Sequence, residues 1–422
     1  MEFFKITKID PNSQARLGII NTPHGQVKTP AFLPIGTRGS VKAVTSEELK
    51  FWGAEIILAN TYHLWLRPGD ALIKRAGGLH KFMGWDGPIF TDSGGYQVYS
   101  LGEKITNGPV KRQGDSCPIL KNISEAGIEF RDELDGTLRI LNPEESIQIQ
   151  SNLGSDIAVV LDDVPGLPAS EERLKTSLDM TLKWAERAKR HHEKITEASI
   201  NPGQKLFGVV QGGDSEDMRK KSAMALQKIG FDGYGIGGLA IGAVADDPDI
   251  MYRVIEFTVP HLEENKPRHL LGVGYPEQII KAVSLGMDTF DCVIPTRNAR
   301  HGQLFVNRKS PFPNPSPQGR GINTDSSILR REDKGGGGFY EVFNILNAGF
   351  KEDFTPVDST CACYLCTHHN RAYLRHLFMS GEPLAIRLAT MHNLRFYLDL
   401  MERIRRAIEF DSFDKLLFPT NY

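Results

Sequence analysis

Between Thr29 and Ile294 this 422-residue chain repeats one short pattern eight times, a run of β-branched and aliphatic residues at Thr29–Ile35, Glu55–Asn60, Pro88–Asp92, Asp156–Asp162, Leu206–Gln211, Gly233–Gly238, His269–Gly274 and Thr289–Ile294. Runs that are apolar almost throughout belong to strands covered on both faces, the situation of a parallel sheet. Between most of them the spacing turns helical, as in Glu171–Lys194, Ser215–Ile229 and Pro276–Leu285. Eight strands alternating with helices predict an α/β fold of the (β/α)8 barrel type, and an open doubly wound sheet of seven strands is the other arrangement the pattern permits. Ahead of the first run, Phe3–Lys8, Leu17–Asn21 and Gln26–Lys28 alternate around turn residues and predict an antiparallel cap over 1–28. The barrel is then expected over 29–307, a Pro-, Ser- and Gly-rich insert over 308–340, and a further subdomain with helices over 341–422.

That last region carries Cys361, Cys363 and Cys366 within six residues, with His392 twenty-six positions beyond. Three thiolates and one imidazole complete the tetrahedral coordination of Zn2+ and leave no open position for chemistry, so one structural Zn2+ per chain is expected. His368 and His369 compete for the fourth place, but they would have to fold back within a tight turn, whereas His392 can approach from a following helix. Cys117 and Cys292 remain as free thiols, which suits a reducing compartment. The start of the chain, Met1 to Lys8, is charged every few residues and offers neither a signal peptide nor a membrane span, so a cytoplasmic protein with no membrane partner is expected. The net charge is -2; a nucleic-acid partner would have to be met by a local basic patch.

In a barrel the chemistry sits where the strands end. Here those ends read Thr91-Asp92-Ser93-Gly94-Gly95-Tyr96-Gln97, Leu161-Asp162-Asp163, Gln211-Gly212-Gly213, Gly237-Gly238-Leu239 and Phe290-Asp291-Cys292. One Asp or Gly after a strand is an ordinary cap, but three carboxylates and an amide in corresponding positions predict a site. Histidines are scarce among these ends, and His63 is expected to pack under the second strand, so a catalytic metal is the weaker reading. Carboxylate and amide side chains around bare glycine backbone suit a flat heterocycle: an Asp accepts from an amidine-like edge, Gln211 meets a carbonyl, Gly237-Gly238-Leu239 comes close, and Tyr96 stacks on the ring.

With these motifs, together with Phe207-Gly208, Gly272-Val273-Gly274 and Pro295-Thr296-Arg297-Asn298-Ala299-Arg300, the chain resembles the queuosine tRNA-guanine transglycosylases from about residue 3 to residue 420. The resemblance implies exchange of guanine at the anticodon wobble position of tRNA for a 7-deazaguanine base, a homodimer, a structural zinc and a covalent RNA–enzyme intermediate. It assigns Asp291 as nucleophile and Asp92 as general acid/base. Ser93, Asp162, Gln211, Gly238 and Leu239 would hold the base, with Tyr96 and Leu271 as walls of its pocket. Arg297 and Arg300 would clamp RNA beside the extruded nucleotide; Arg403, Arg405 and Arg406 are further basic candidates, while Lys183 to Lys194 reads as a solvated helix face.

Two features depart from the family pattern. The segments Gly108 to Ile123 and Arg308 to Gly338 look like extra loops, and Val164 stands where bacterial members carry Cys, although Ile241 resembles the bacterial side. The incoming base is therefore the aminomethyl precursor (preQ1) in preference to queuine, with the choice open. A non-catalytic RNA-binding subunit of a heterodimer need not keep Asp291 and Asp92. An archaeosine-type enzyme usually has an added C-terminal domain, whereas this chain stops about 30 residues after His392. A metal-dependent barrel hydrolase would carry more than one metal per chain.

Overall fold

The computed structural model describes residues 2–98, 119–132, 135–240, 247–308 and 338–417. Eight parallel strands wind in order around a closed barrel. They are β1 (Ala31–Leu33, resuming after Pro34 as Ile35–Gly36), β2 (Ile57–Ala59), β3 (Ile89–Thr91), β4 (Ile157–Val159), β5 (Lys205–Val210), β6 (Gly233–Ile236), β7 (Arg268–Leu270) and β8 (Thr289–Asp291). Pro34 divides β1 because it has no N–H for the ladder. Its first half pairs with β8 through Leu33↔Asp291 and its second with β2 through Gly36↔Ala59, while the Pro34 carbonyl still accepts from Leu58 N at 3.0 Å. Closure through a single strand decides between the two expected sheets in favour of the barrel.

Helices follow the strands as their apolar stripes require. Glu171–Ile195 buries Leu174, Leu178, Thr181, Trp184, Ala185 and Ala188, spaced for one face, and Ser170 caps it by accepting from Arg173 N. The strands of the cap, Phe4–Ile9, Arg16–Thr22 and Gly25–Thr29, form an antiparallel sheet on the N-terminal side of the barrel. A second antiparallel sheet, Ile119–Ser124, Gly127–Arg131 and Leu138–Leu141, stands before β4. The end of the segment expected to be a loop, Gly108 to Ile123, is thus strand, because Gly127–Arg131, itself paired on its other edge with Leu138–Leu141, supplies the ladder. Residues 108–118 and almost all of 308–338 lie outside the described residues, as do Cys117 and Ile241.

After the barrel, Gln303–Asn307 and Tyr340–Asn344 pair antiparallel, and the helix Pro383–Glu409 packs across them. Its Asn393 accepts from Phe305 N and donates to the carbonyls of Pro295 and Gln303, and its Tyr397 hydroxyl donates to Gly274 O at 2.6 Å. No helix among the described residues is long and apolar enough to cross a membrane.

At the opposite end the cap is locked to the barrel by charge. Arg16 grips Asp288 with Nε at 2.8 Å and Nη2 at 2.6 Å, and Asp288 also accepts from Arg268 N at 2.7 Å; Asp288 is fully buried. Arg16→Met would leave that carboxylate without its counter-charge. Urea unfolding should then show a loss of about 3–5 kcal/mol. A loss near zero would mean that the lock contributes nothing to joining the cap and barrel.

Candidate active site

Asp92, Asp162, Gln211, Gly238, Leu239 and Asp291 all stand at the carboxyl ends of their strands, on one rim. Asp291 is buried at the end of β8. His269 Nε2 lies 3.1 Å from its Oδ1 and Gly272 N donates to the same oxygen at 2.9 Å, while Oδ2 receives no hydrogen bond among the described residues. His269 is itself held by Thr289 Oγ1 at 2.9 Å, its partner in the strand register, and lies against Phe90. One oxygen of Asp291 is therefore fixed and the other is left for chemistry.

Asp92 sits in a different environment. Three donors converge on it: Asn60 Nδ2 at 2.5 Å and Gln97 Nε2 at 3.0 Å on Oδ2, and Thr61 N at 2.8 Å on Oδ1. These favour the carboxylate, but burial outweighs them and the nearby charge of Asp291 adds to it, so the pKa rises to about 7. Asp92 is thus poised to give or take a proton at neutral pH, the property a general acid/base needs. Asp162, also buried, accepts from Gln211 Nε2 at 2.7 Å and lies 3.5 Å from Ser93 Oγ; burial lifts its pKa to about 6. Its neighbour Asp163 turns to the other side of the strand, where Arg173 holds it with two bonds of 2.6 and 2.7 Å.

The glycines around Gln211 are required by contact. A Cβ on Gly237 would come within 2.5 Å of Gln211 Nε2, and Gly238, at φ +78°, would place one 2.9 Å from Gln211 Oε1. Behind this wall lies Arg219, with no exposed surface, donating to the carbonyls of Val210 (2.7 Å), Gly213 (2.8 Å) and Gly237 (3.0 Å) and so tying the ends of β5 and β6 together. Leu239 is buried, Leu271 partly so, and Tyr96 is 43% exposed.

Arg297 and Arg300 are exposed on the helix Ile294–Arg300 that follows Asp291. Arg403, Arg405 and Arg406 are engaged within the chain, by Asn307, by Pro30 O and Glu402, and by Glu402. His63 is half-buried on the helix Thr61–Leu66 at the mouth rather than packed beneath β2, because the chain turns into a helix capped by Asn60 directly after that strand.

Sequence reasoning missed His269, Asn60 and Arg219. Arg219 occupies the first place of the buried stripe 219, 222, 223, 226 on the helix Glu216–Ile229, so a charge on an apolar stripe was the available signal.

In the C-terminal region Cys361, Cys363, Cys366 and His392 bring their ligand atoms within 4.8 Å of one another. His392 Nδ1 lies 3.5 and 3.3 Å from the sulfurs of Cys363 and Cys366, and its Nε2 meets Phe305 O at 2.7 Å, which directs Nδ1 toward the thiols. His368 is exposed and contacts Thr367, and His369 stacks on Tyr373, so neither enters the cluster. This donor set fits a closed, structural Zn2+ site.

A barrel rim that leaves one oxygen of a buried carboxylate without a hydrogen bond and holds a second carboxyl group near pKa 7 has the pair of groups that glycosyl transfer uses. The profile of the family described as queuine tRNA-ribosyltransferase matches residues 10–418, and the chain belongs to that family. It is 45% identical over 408 residues to the queuine tRNA-ribosyltransferase of Thermoanaerobacter sp. (strain X514), covering 97% of this chain and 94% of that one. The proteins of that name from Vibrio campbellii (44% over 406 residues, 96% and 93%) and Listeria monocytogenes serotype 4a (45% over 405 residues, 96% and 92%) are similar to it to the same degree.

Two tests follow. His392→Ala should lower the metal content, measured by atomic absorption, from one zinc per chain to near zero, and should destabilise the helix Pro383–Glu409, since structural zinc contributes on the order of 10 kcal/mol. Asp92, with its folded pKa raised above the unfolded value, binds a proton that the unfolded chain has lost. Its burial therefore costs stability progressively from about pH 4 to about pH 7. Denaturation of Asp92→Asn across that window should show less loss of stability with rising pH than wild type, by on the order of 4 kcal/mol; identical slopes would contradict the assignment.

Proposed function

We propose that this protein is a tRNA-guanine transglycosylase, which exchanges guanine at the anticodon wobble position for a 7-deazaguanine base. The reading is carried by the unequal treatment of Asp291 and Asp92. In the first half-reaction the open oxygen of Asp291 forms a bond to ribose C1′ as the C1′–N9 bond breaks. The bonding pair leaves with guanine, and a proton from Asp92 neutralises the base. Guanine departs while the RNA stays attached. In the second half-reaction Asp92 takes the N9 proton of the incoming base, whose nitrogen attacks C1′ and releases the Asp291 carboxylate. No redox or nucleotide cofactor enters the balance.

Asp162, Gln211 and Ser93 read the polar edge of the base, with the Gly238-Leu239 backbone close against it and Tyr96 and Leu271 bounding its faces. Asp162, with its pKa raised by burial, exchanges donor and acceptor character without a large energetic penalty. Arg297 and Arg300 hold the RNA next to the extruded nucleotide. Zn2+ at the Cys3His cluster supplies structural cross-linking alone. The protein works in the cytoplasm as a homodimer, and preQ1 is the favoured incoming base. That preference rests on Ile241, which lies outside the described residues, whereas Val164, buried just beyond β4, is the feature that favours queuine.

Wild-type protein should transfer labelled guanine into bulk tRNA, and Asp291→Asn should lower that rate by at least about 1,000-fold while leaving the unfolding midpoint and tRNA affinity unchanged. Substantial exchange by the variant would remove Asp291 from the nucleophile's role. With preQ1 and queuine in competition against labelled guanine, preQ1 should win; a preference for queuine would make Val164 the better guide to the pocket.

A further inference from the structure

At the N-terminal end of the barrel, opposite the rim, two imidazoles converge on one carboxylate. Asp156 directly precedes β4, His24 lies in the turn between the cap strands Arg16–Thr22 and Gly25–Thr29, and His80 lies on the helix Leu79–Met83 between β2 and β3. Asp156 is fully buried. His24 Nδ1 is 2.7 Å from its Oδ1, His80 Nε2 is 3.2 Å from its Oδ2, and the two rings stack with centroids 3.6 Å apart. Ile89 N donates to Oδ2 at 2.8 Å, and Asn201 Nδ2 to Oδ1 at 3.4 Å. His24 by itself would balance the carboxylate as an ion pair. His80 is surplus to that pair: its side chain is nine-tenths buried, yet its Nε2 completes no hydrogen bond among the described residues. A buried ring nitrogen left in that state costs free energy unless a ligand engages it.

We propose that His24, His80 and Asp156 form a second metal site, which takes a divalent transition ion of the zinc type. Their ligand atoms all lie within 4.8 Å of one another. Ligands around a tetrahedral Zn2+ with bonds of about 2.0–2.1 Å stand about 3.3 Å apart, and the separations of 2.7 and 3.2 Å are close to that spacing. Two imidazoles and a carboxylate are a donor set that zinc accepts, and the side chain of His24 is 32% exposed, so the ion enters from solvent and keeps a water in its fourth position. Ile89 N and Asn201 act as outer partners that orient the carboxylate. With no thiolate and no fourth protein ligand, the site holds its ion less tightly than the Cys3His cluster, and dialysis that spares the zinc at the thiolates empties it. Its place at the far end of the strands from Asp92 and Asp291 makes it a clasp between the cap and the barrel, independent of the exchange chemistry.

Full-length protein dialysed against metal-free buffer, with its thiolate zinc in place, can be titrated with Zn2+ by calorimetry and with Co2+ by visible absorption. Wild type should take up one further ion per chain, and that ion should raise the unfolding midpoint. His24→Gln and His80→Gln should each weaken the uptake at least about 100-fold and abolish the rise in midpoint, since loss of a ligand exceeds the loss of an outer partner. Labelled-guanine exchange into bulk tRNA should be the same in wild type and both variants, with or without the added ion. His24→Gln alters a partly exposed turn, so it reads the site even where His80→Gln fails to fold. A wild type that takes up no further ion would overturn the proposal. Variants that bind it as tightly as wild type would assign the ion to other side chains and overturn it equally. An exchange rate that follows occupancy of the site would overturn its assignment as a clasp.

Discussion

Pairing of Leu33 with Asp291 closes the sheet, and the functional rim depends on that closure. An open sheet would leave β1 and β8 at opposite edges, with Asp291 far from Asp92. The closed barrel puts the ends of all eight strands around one ring, so residues nearly 200 positions apart in sequence, Asp92 and Asp291, act on each other's charge. The Arg16–Asp288 pair, three residues before Asp291, secures the same strand from below. The helix Pro383–Glu409 secures its upper end, because Asn393 holds Pro295 and Tyr397 holds Gly274, on either side of Asp291 in sequence. His392, one residue before Asn393, binds that helix to the Cys cluster. A metal held at that cluster, remote from the barrel rim, would fix the helix that positions the segments around Asp291.

Within the rim, environment separates carboxylates that the sequence writes with the same letter. Asp291 accepts two hydrogen bonds on one oxygen and keeps the other open. Asp92 accepts three, yet burial and the charge of Asp291 hold it near neutrality. Separation of the two roles by environment is what a double-displacement reaction with a poor leaving group demands. The buried guanidinium of Arg219 gives the wall around Gln211 its rigidity, since its three carbonyl acceptors come from the ends of two different strands.

Much of this was legible beforehand, for identifiable reasons. Strands buried on both faces must be apolar throughout, so all eight runs declared themselves, and polar residues at their carboxyl ends stood out against that background. The cluster of Cys361, Cys363, Cys366 and His392 was visible because three thiols in six residues serve few other purposes. What escaped were polar side chains inside apolar patterns: His269 within β7, and Arg219 on a helix stripe. Only the resemblance separated Asp162 from Asp163, since one step along an extended segment changes the side to which a residue turns. The antiparallel sheet at 119–141 escaped because its strands depend on one another rather than on an apolar run of their own.

The central claim is that the reaction passes through a bond between Asp291 and ribose. Wild-type protein mixed with tRNA, with no incoming base present, can be denatured rapidly and run on a denaturing gel, and the retained species digested and its modified peptide sequenced by mass spectrometry. The account predicts an RNA–protein adduct attached at Asp291, which disappears when a deazaguanine base is added before denaturation. An adduct on Asp92, or none under conditions in which guanine exchange proceeds, would contradict it.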